Sequence, residues 1–254
     1  MAEHVKASPA RQALTVRRTR GVATTKRREV IISHTHKYIF IKSWKTAGTS
    51  IETALSQHCS NGDIVTALGD YWFNRDEQGQ WIHNSMNAEG FSQHDSAAAV
   101  KSKVAPEVWN EYFKFSIARN PWDRVVSLFS WEARNKPALK PAKRWYHRWG
   151  FPFNEFRERT LLFRQFVLGD WKTNDQFYVM DGGLCVDFVI RYERLAEDLG
   201  EVCRRVGLPA LSLPHLKTGL RKEGHGYTEY YDEASKAIVA GRHRNDIRLF
   251  GYEF

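Results

Sequence analysis

The sequence predicts an α/β domain with a central parallel sheet covered by helices on both faces. Three observations carry that expectation. Short apolar runs that read as buried strands, "KYIFIK" at 37–42, "FKFSIA" at 113–118 and "CVDFVIRYE" at 185–193, each lead into an amphipathic helical segment. The 254-residue length suits one such domain, and 42% hydrophobic with 26% charged residues is a globular balance. Cys59, Cys185 and Cys203 are odd in number, far apart and without a CxxC pair, so neither disulfides nor a zinc site replaces the core. That cysteine usage fits a reducing compartment.

The elements follow in chain order. Residues 1–29 hold eight Lys/Arg against Glu3 and Glu29, a net charge of +6 out of the chain's +9. They read as a basic, solvated, disordered tail, and residues 30–254 as the folded domain. The tail has no apolar stretch, so it reads as neither a secretory signal nor an anchor. No window elsewhere approaches a membrane span, and a cytoplasmic location is expected. After the strand at 37–42 a helix is expected over 49–59, capped by Thr49 or Ser50. Residues 95–104 read as a helix starting near Ser92 or Asp95. The strand at 113–118 feeds a helix at 121–134 with Pro121 in its first turn. A helix follows the third strand, and another spans "YDEASKAIVAGRHRND" before the aromatic end. Residues 136–153 are expected to be an irregular insertion.

Two of the strand-to-helix loops carry chemistry. In "IFIKSWKTAGTS" the helix start offers backbone N–H groups and the positive end of the dipole. Lys45 and the hydroxyls of Thr46, Thr49 and Ser50 add to that cradle for a phosphate or sulfate, and Gly48 is expected to allow close backbone approach. The order of residues disfavours a magnesium-dependent NTPase. The GxxxxGK[ST] signature needs a glycine where Ser43 stands and a lysine after the second glycine, whereas Lys45 precedes Gly48. In "FSIARNPWDRVVSLF", Arg119 ends a strand and Ser127 lies two turns along the following helix. Two such strand ends suit a ligand with two separated anionic groups. Asp123 and Arg124 are expected to do no more than pair on the surface.

These residues resemble a known family. "KSWKTAGTS" is similar to the 5′-phosphosulfate loop of the carbohydrate-type (Golgi-type, family 2-like) sulfotransferases, and "ARNPWDRVVSLF" to their 3′-phosphate motif. The resemblance extends through "QHDSAAAV", "VDFVIRYERLAEDL", "LPHLKTGLR" and "DIRLFGYEF", over roughly residues 35–254. Trp44 departs from it, since many relatives carry proline there. The resemblance implies a P-loop-like three-layer domain in a soluble, bacterial-type member. It also implies transfer of the sulfuryl group of 3′-phosphoadenosine 5′-phosphosulfate (PAPS) to a hydroxyl, usually of a saccharide, with no metal. Lys45 would neutralise charge as the bond breaks. Thr46, Ala47, Gly48, Thr49 and Ser50 would hold the 5′-phosphate, and Arg119 with Ser127 the 3′-phosphate. The late loop "KTGLRKEGHGY", with Thr218 and Arg221, resembles a segment that closes over the nucleotide, or is a solvated basic loop.

The acceptor hydroxyl needs a base, and an imidazole near its intrinsic pKa suits the task. His94 is chosen because it precedes the second motif where relatives carry a candidate catalytic histidine. The alternative is a helix-start histidine bonded to a backbone carbonyl. Glu52 is a reserve base. His34 and His36 read as structural, having no evident third metal ligand. The strip "KPAKRWYHRW" at 140–149 suits either stacking on sugar rings or helix packing. Two other classes stay open. A nucleic-acid-binding module would lose binding when the tail is deleted. A small-molecule kinase reusing the loops would turn over ATP with magnesium.

Overall fold

The computed structural model describes residues 30–66, 86–91, 94–140, 154–213 and 225–254. The basic tail, the cation–aromatic strip beyond Lys140 and the late loop through Gly224, with Thr218 and Arg221, lie outside the described residues.

The sheet begins with a strand that the apolar runs do not announce. β1 (Val30–Ser33) turns back through residues 34–37 into β2 (Tyr38–Ile41), pairing antiparallel from Val30 with Ile41 to Ser33 with Tyr38. The turn is held by Asp63, whose carboxylate accepts from the His34 N–H at 2.7 Å and the Ser33 hydroxyl at 3.1 Å. Burial alone would raise the Asp63 pKa, but the N–H groups of Ser60, Thr35 and His34 outweigh it and hold the carboxyl below its ordinary range. α1 (Gly48–Ser56) follows β2, and β3 (Ile64–Val65) then pairs antiparallel with β1. Next come α2 (Ala97–Lys101), α3 (Pro106–Glu111), β4 (Phe113–Ala118) and α4 (Pro121–Asn135). β4 pairs parallel with β2, Phe115 opposite Phe40.

α5 (Glu155–Leu168) begins just past the expected insertion. β5 (Val179–Met180) and β6 (Gly183–Leu184) form a small separate hairpin. β7 (Phe188–Arg191) completes the main sheet beside β4, and α6 (Leu195–Arg205), α7 (Glu233–Arg242) and α8 (Arg244–Phe250) close the chain. The sheet order is β3-β1-β2-β4-β7, with only β1 running against the other four strands. The sheet is therefore mostly parallel, and the reversed β1 is what a four-residue turn dictates.

Alternation along the strands produces the layers. Ile31, Tyr38, Phe40, Phe115 and Ile117 pack on one face against Ile51 and Leu55 of α1 and Leu199 and Val202 of α6. Val30, Ile32, Ile39 and Ile41 pack on the other against Ala97 and Val100 of α2 and Trp109 of α3. A third cluster joins Val125, Val126 and Phe129 of α4 to Phe163 and Val167 of α5 and Val239 of α7. Because β2 and β4 are parallel neighbours, the loops leaving their carboxyl ends emerge side by side. Among the described residues no helix is long and apolar enough to cross a membrane.

Candidate active site

The loop between β2 and α1 is built on a buried ion pair. Lys42 leaves the end of β2 and bonds Glu52 of α1 at 2.8 Å, with Lys42 4% and Glu52 0% exposed. Its stem runs under the first residue of α1. A Cβ on Gly48 would stand 2.6 Å from Lys42 Cγ, inside any tolerable contact. Glycine at 48 makes room for the lysine stem, a packing role that the sequence expectation did not include. Glu52 likewise takes a different part from the reserve base expected of it: its carboxylate is sealed below the loop and matched to Lys42. Breaking such a pair costs about 3–5 kcal/mol.

Above that pair the backbone is strained. Lys45 and Ala47 both have φ near +62°, a left-handed conformation that side chains disfavour. Alternating conformations of this kind turn successive N–H groups into a concavity suited to an anion. No side chain caps α1, whose N-cap residue is Ala47, so neither Thr49 nor Ser50 caps it as expected. The Thr46 hydroxyl is buried and turned inward. Thr46 lies 2.8 Å from Ser43 Oγ, which donates to the Ile117 carbonyl at 2.6 Å. The loop thus offers backbone dipoles and the Lys45 ammonium, and Thr46 contributes chiefly by fixing its shape.

The second loop locks onto the first. Arg119 donates from Nη1 to the Lys45 carbonyl at 2.9 Å. Its other side is a fork on Asp123, Nε at 2.7 Å and Nη2 at 2.5 Å, and its plane lies 4.0 Å from the centre of the Tyr192 ring. Burial presses the Arg119 pKa down, opposed by nearby Tyr192 and Glu193. Asp123, Ser127 and Trp131 follow at four-residue spacing and share one face of α4. The Lys45 ammonium sits 5.9 Å above the Trp131 ring, so this face lies beside the Lys45 loop. Ser127 is 8% exposed on that face.

Arg124 does not pair with Asp123 as expected. It points into the core, 1% exposed, where it donates to the Lys172 carbonyl at 2.7 Å and faces His243 Nε2 at 3.4 Å. His243 Nδ1 in turn bonds Asp246, which also receives the Tyr178 hydroxyl. Burial pushes the Arg124 pKa down to about 10, still well above neutrality.

His94 stands beside the first loop. Its Nδ1 bonds the Lys42 carbonyl at 3.2 Å, and a carbonyl only accepts, so Nδ1 carries the proton and Nε2 is the ring's acceptor. The bond to a carbonyl, one of the two readings of this residue, is therefore present. The ring packs edge-on against Trp44, centroids 5.3 Å apart. His34 and His36 are engaged separately, with Tyr112 at 2.8 Å and the Val206 carbonyl at 3.2 Å. No group of three or more His, Cys, Asp or Glu suited to a metal occurs among the described residues.

Lys45, Thr46, Ala47, Gly48, Thr49, Ser50, Arg119, Ser127 and His94 are thus gathered around two adjacent loops. Sequence reasoning missed Trp131 and Tyr192. The Arg-Asn-Pro opening carried no hint of Tyr192, but the four-residue spacing from Ser127 was a usable signal for Trp131.

Comparison with known proteins gives this geometry a context. A family model described as "Sulfotransferase family" matches residues 28–253. Carbohydrate sulfotransferase 10 of Xenopus laevis is 29% identical over 256 aligned residues, covering 88% of this chain and 67% of that protein. Carbohydrate sulfotransferase 10 of Gallus gallus is 24% identical over 253, covering 88% and 66%. An "uncharacterized protein" of Archaeoglobus fulgidus is 29% identical over 116 residues, 43% of this chain and 80% of its own. The chain spans about two thirds of the length of the two vertebrate proteins.

Proposed function

The chain belongs to the sulfotransferase family, and from that premise we propose that it moves the sulfuryl group of PAPS to a hydroxyl of a saccharide, with His94 as base. The donor fits the residues present: a strained loop with two left-handed residues opens a helix without a side-chain cap, and the same loop carries the Lys45 ammonium beside Trp131. That loop is the observation that carries the reading. When bound, PAPS supplies an activated sulfuryl group on a phosphate leaving group.

The chain's own residues then have separable tasks. The backbone from Thr46 to Ser50 receives the 5′-phosphate, with the α1 dipole favouring its charge. Lys45 neutralises the negative charge that grows on the departing oxygen as the S–O bond breaks. Arg119 and Ser127 receive the 3′-phosphate, and Arg119 must share its fork between that group and Asp123. His94 Nε2 takes the proton of the acceptor hydroxyl as its oxygen bonds to sulfur. Positioning and charge stabilisation do most of the work, as in phosphoryl transfer. The saccharide acceptor is suggested by the two carbohydrate sulfotransferases among the relatives.

The test is transfer of radiolabelled sulfur from PAPS to a panel of saccharides. The wild type is expected to label at least one, and His94→Ala to slow that labelling by about 10²–10⁴-fold while PAP (3′,5′-ADP) binds as before. A variant that labels at the wild-type rate at saturating acceptor would make His94 a substrate contact. Labelling of no saccharide would remove the acceptor class.

A further inference from the structure

We infer that Asn174 is a positioning residue: it bonds the peptide units on both sides of Trp44 and thereby holds the strained Lys45 in register with His94. The role rests on the reading of Lys45 and His94 given above.

Asn174 is 2% exposed and opens the short helical turn Asp175–Phe177, yet its side chain does not cap that turn. It reaches a residue 130 positions away instead. Nδ2 donates to the Trp44 carbonyl at 2.8 Å, and Oδ1 accepts from the Trp44 N–H at 3.3 Å. One hydrogen bond would leave a hinge; two, on the N–H and the carbonyl of one residue, tie the peptide units on either side of its Cα and so restrain its φ and ψ. Trp44 immediately precedes Lys45, whose φ is near +62°. A residue in that conformation persists only where its surroundings over-determine it. Asn174 does so on one side of Lys45 and the Arg119 bond to the Lys45 carbonyl does so on the other.

The same segment reaches the base. Phe177 meets Trp44 edge-on at 4.9 Å and lies 6.0 Å from His94, while Trp44 itself packs on His94. The segment is in turn anchored to the back of the molecule. Arg124 bonds the Lys172 carbonyl, Asn245 donates to Asp175 at 2.9 Å, and Tyr178 bonds Asp246. A bracket is therefore set against Trp44, which adjoins the strained Lys45 and packs on His94. A proline at position 44 would fix φ by its ring and offer no N–H; with Trp44 there, Asn174 supplies the restraint from outside.

The experiment has two arms, both on the full chain. In the first, the protein carries 5-fluorotryptophan, and the Trp44 fluorine resonance is identified as the one lost in Trp44→Phe. Asn174→Ala is expected to shift or broaden that resonance. An unchanged Trp44 line would overturn the clamp. In the second arm, PAP is titrated calorimetrically into wild type, Asn174→Ala, Lys45→Ala and the double variant. Asn174→Ala is expected to weaken PAP by about tenfold alone and by nothing further once Lys45 is gone, because it acts through Lys45. A merely structural role would lower the unfolding midpoint and leave the two effects multiplying, which would overturn the proposal. Asn174→Asp keeps the acceptor for the Trp44 N–H but sets an oxygen against the Trp44 carbonyl, so it should bind no better than the alanine variant. Failure of the wild type to bind PAP would strike the proposed function instead, and the fluorine arm would then decide the clamp alone.

Discussion

The two strand-to-helix loops of this molecule share one plan and differ in how the helix start is filled. At α4 the opening is closed by its own side chains: Asn120 accepts from the N–H groups of Trp122 at 3.1 Å and Asp123 at 3.3 Å, and Pro121 has no N–H to satisfy. At α1 no side chain caps the helix, and two left-handed residues lead into it. The α4 opening is thus satisfied by its own side chain, whereas the α1 opening has no side-chain cap. On the proposed function, an anion at the Lys45 loop would meet backbone dipoles and Lys45, and one at the Arg119 loop would meet side chains alone.

The largest expected effect falls on the uncapped loop. Lys45→Ala should cut sulfuryl transfer by roughly a hundred- to thousand-fold, the loss expected for one transition-state donor, at about 2.7–4 kcal/mol. The unfolding midpoint should hardly move, since the ammonium lies over the exposed face of Trp131 rather than in the core. Normal turnover in labelled-sulfate assays would remove the contrast between the loops. Next, Gly48→Ala drives a methyl into the Lys42 stem and should cost about 1–3 kcal/mol as overpacking. Urea midpoints test this, and PAP affinity should fall with them. Asn120→Ala is smaller, about 1 kcal/mol of stability for a lost cap. It should leave 5′-AMP affinity unchanged, whereas a loss equal to that of Gly48→Ala would erase the difference between the helix starts.

The gentlest probe is pH. Burial holds the His243 pKa below its ordinary value, with the Asp246 bond opposing and Arg124 reinforcing the shift. Nδ1 serves Asp246 and Nε2 faces Arg124, so a second ring proton would point at a guanidinium. The folded state therefore binds fewer protons than the unfolded one. This part of the stability is complete above the ordinary histidine range near 6.5 and is lost as pH falls from there through the depressed folded value. Urea midpoints at pH 7.5 and 5.5 should differ less in His243→Asn than in the wild type.

Legibility in the sequence followed the range of the interaction. The strands at 37–42 and 113–118, and the helices after them, stood out because an apolar run breaks into a polar loop within a few residues. β1 was missed because it directly follows the basic tail and its partner is set by a turn. α5 was missed because only Thr160, Phe163 and Val167 of its stripe are buried, with Arg157, Arg159 and Arg164 interleaved. The motifs gave the site's location and not its wiring. Nothing local says that Gly48 makes room for Lys42, that Arg119 grips the Lys45 carbonyl, or that Arg124 is a core residue facing His243, more than a hundred residues on.

The central claim is that these loops bind the two ends of one nucleotide, and calorimetry without metal tests it most directly. PAP should bind the wild type more tightly than 5′-AMP by at least about a hundred-fold, from hydrogen bonds to charged groups worth roughly 1.5–3 kcal/mol each at Arg119 and Ser127. Arg119→Ala should collapse that ratio, and because Arg119 also holds the Lys45 carbonyl, 5′-AMP should weaken too, by a smaller factor. Equal affinities for PAP and 5′-AMP in the wild type, or binding that requires magnesium, would contradict the account.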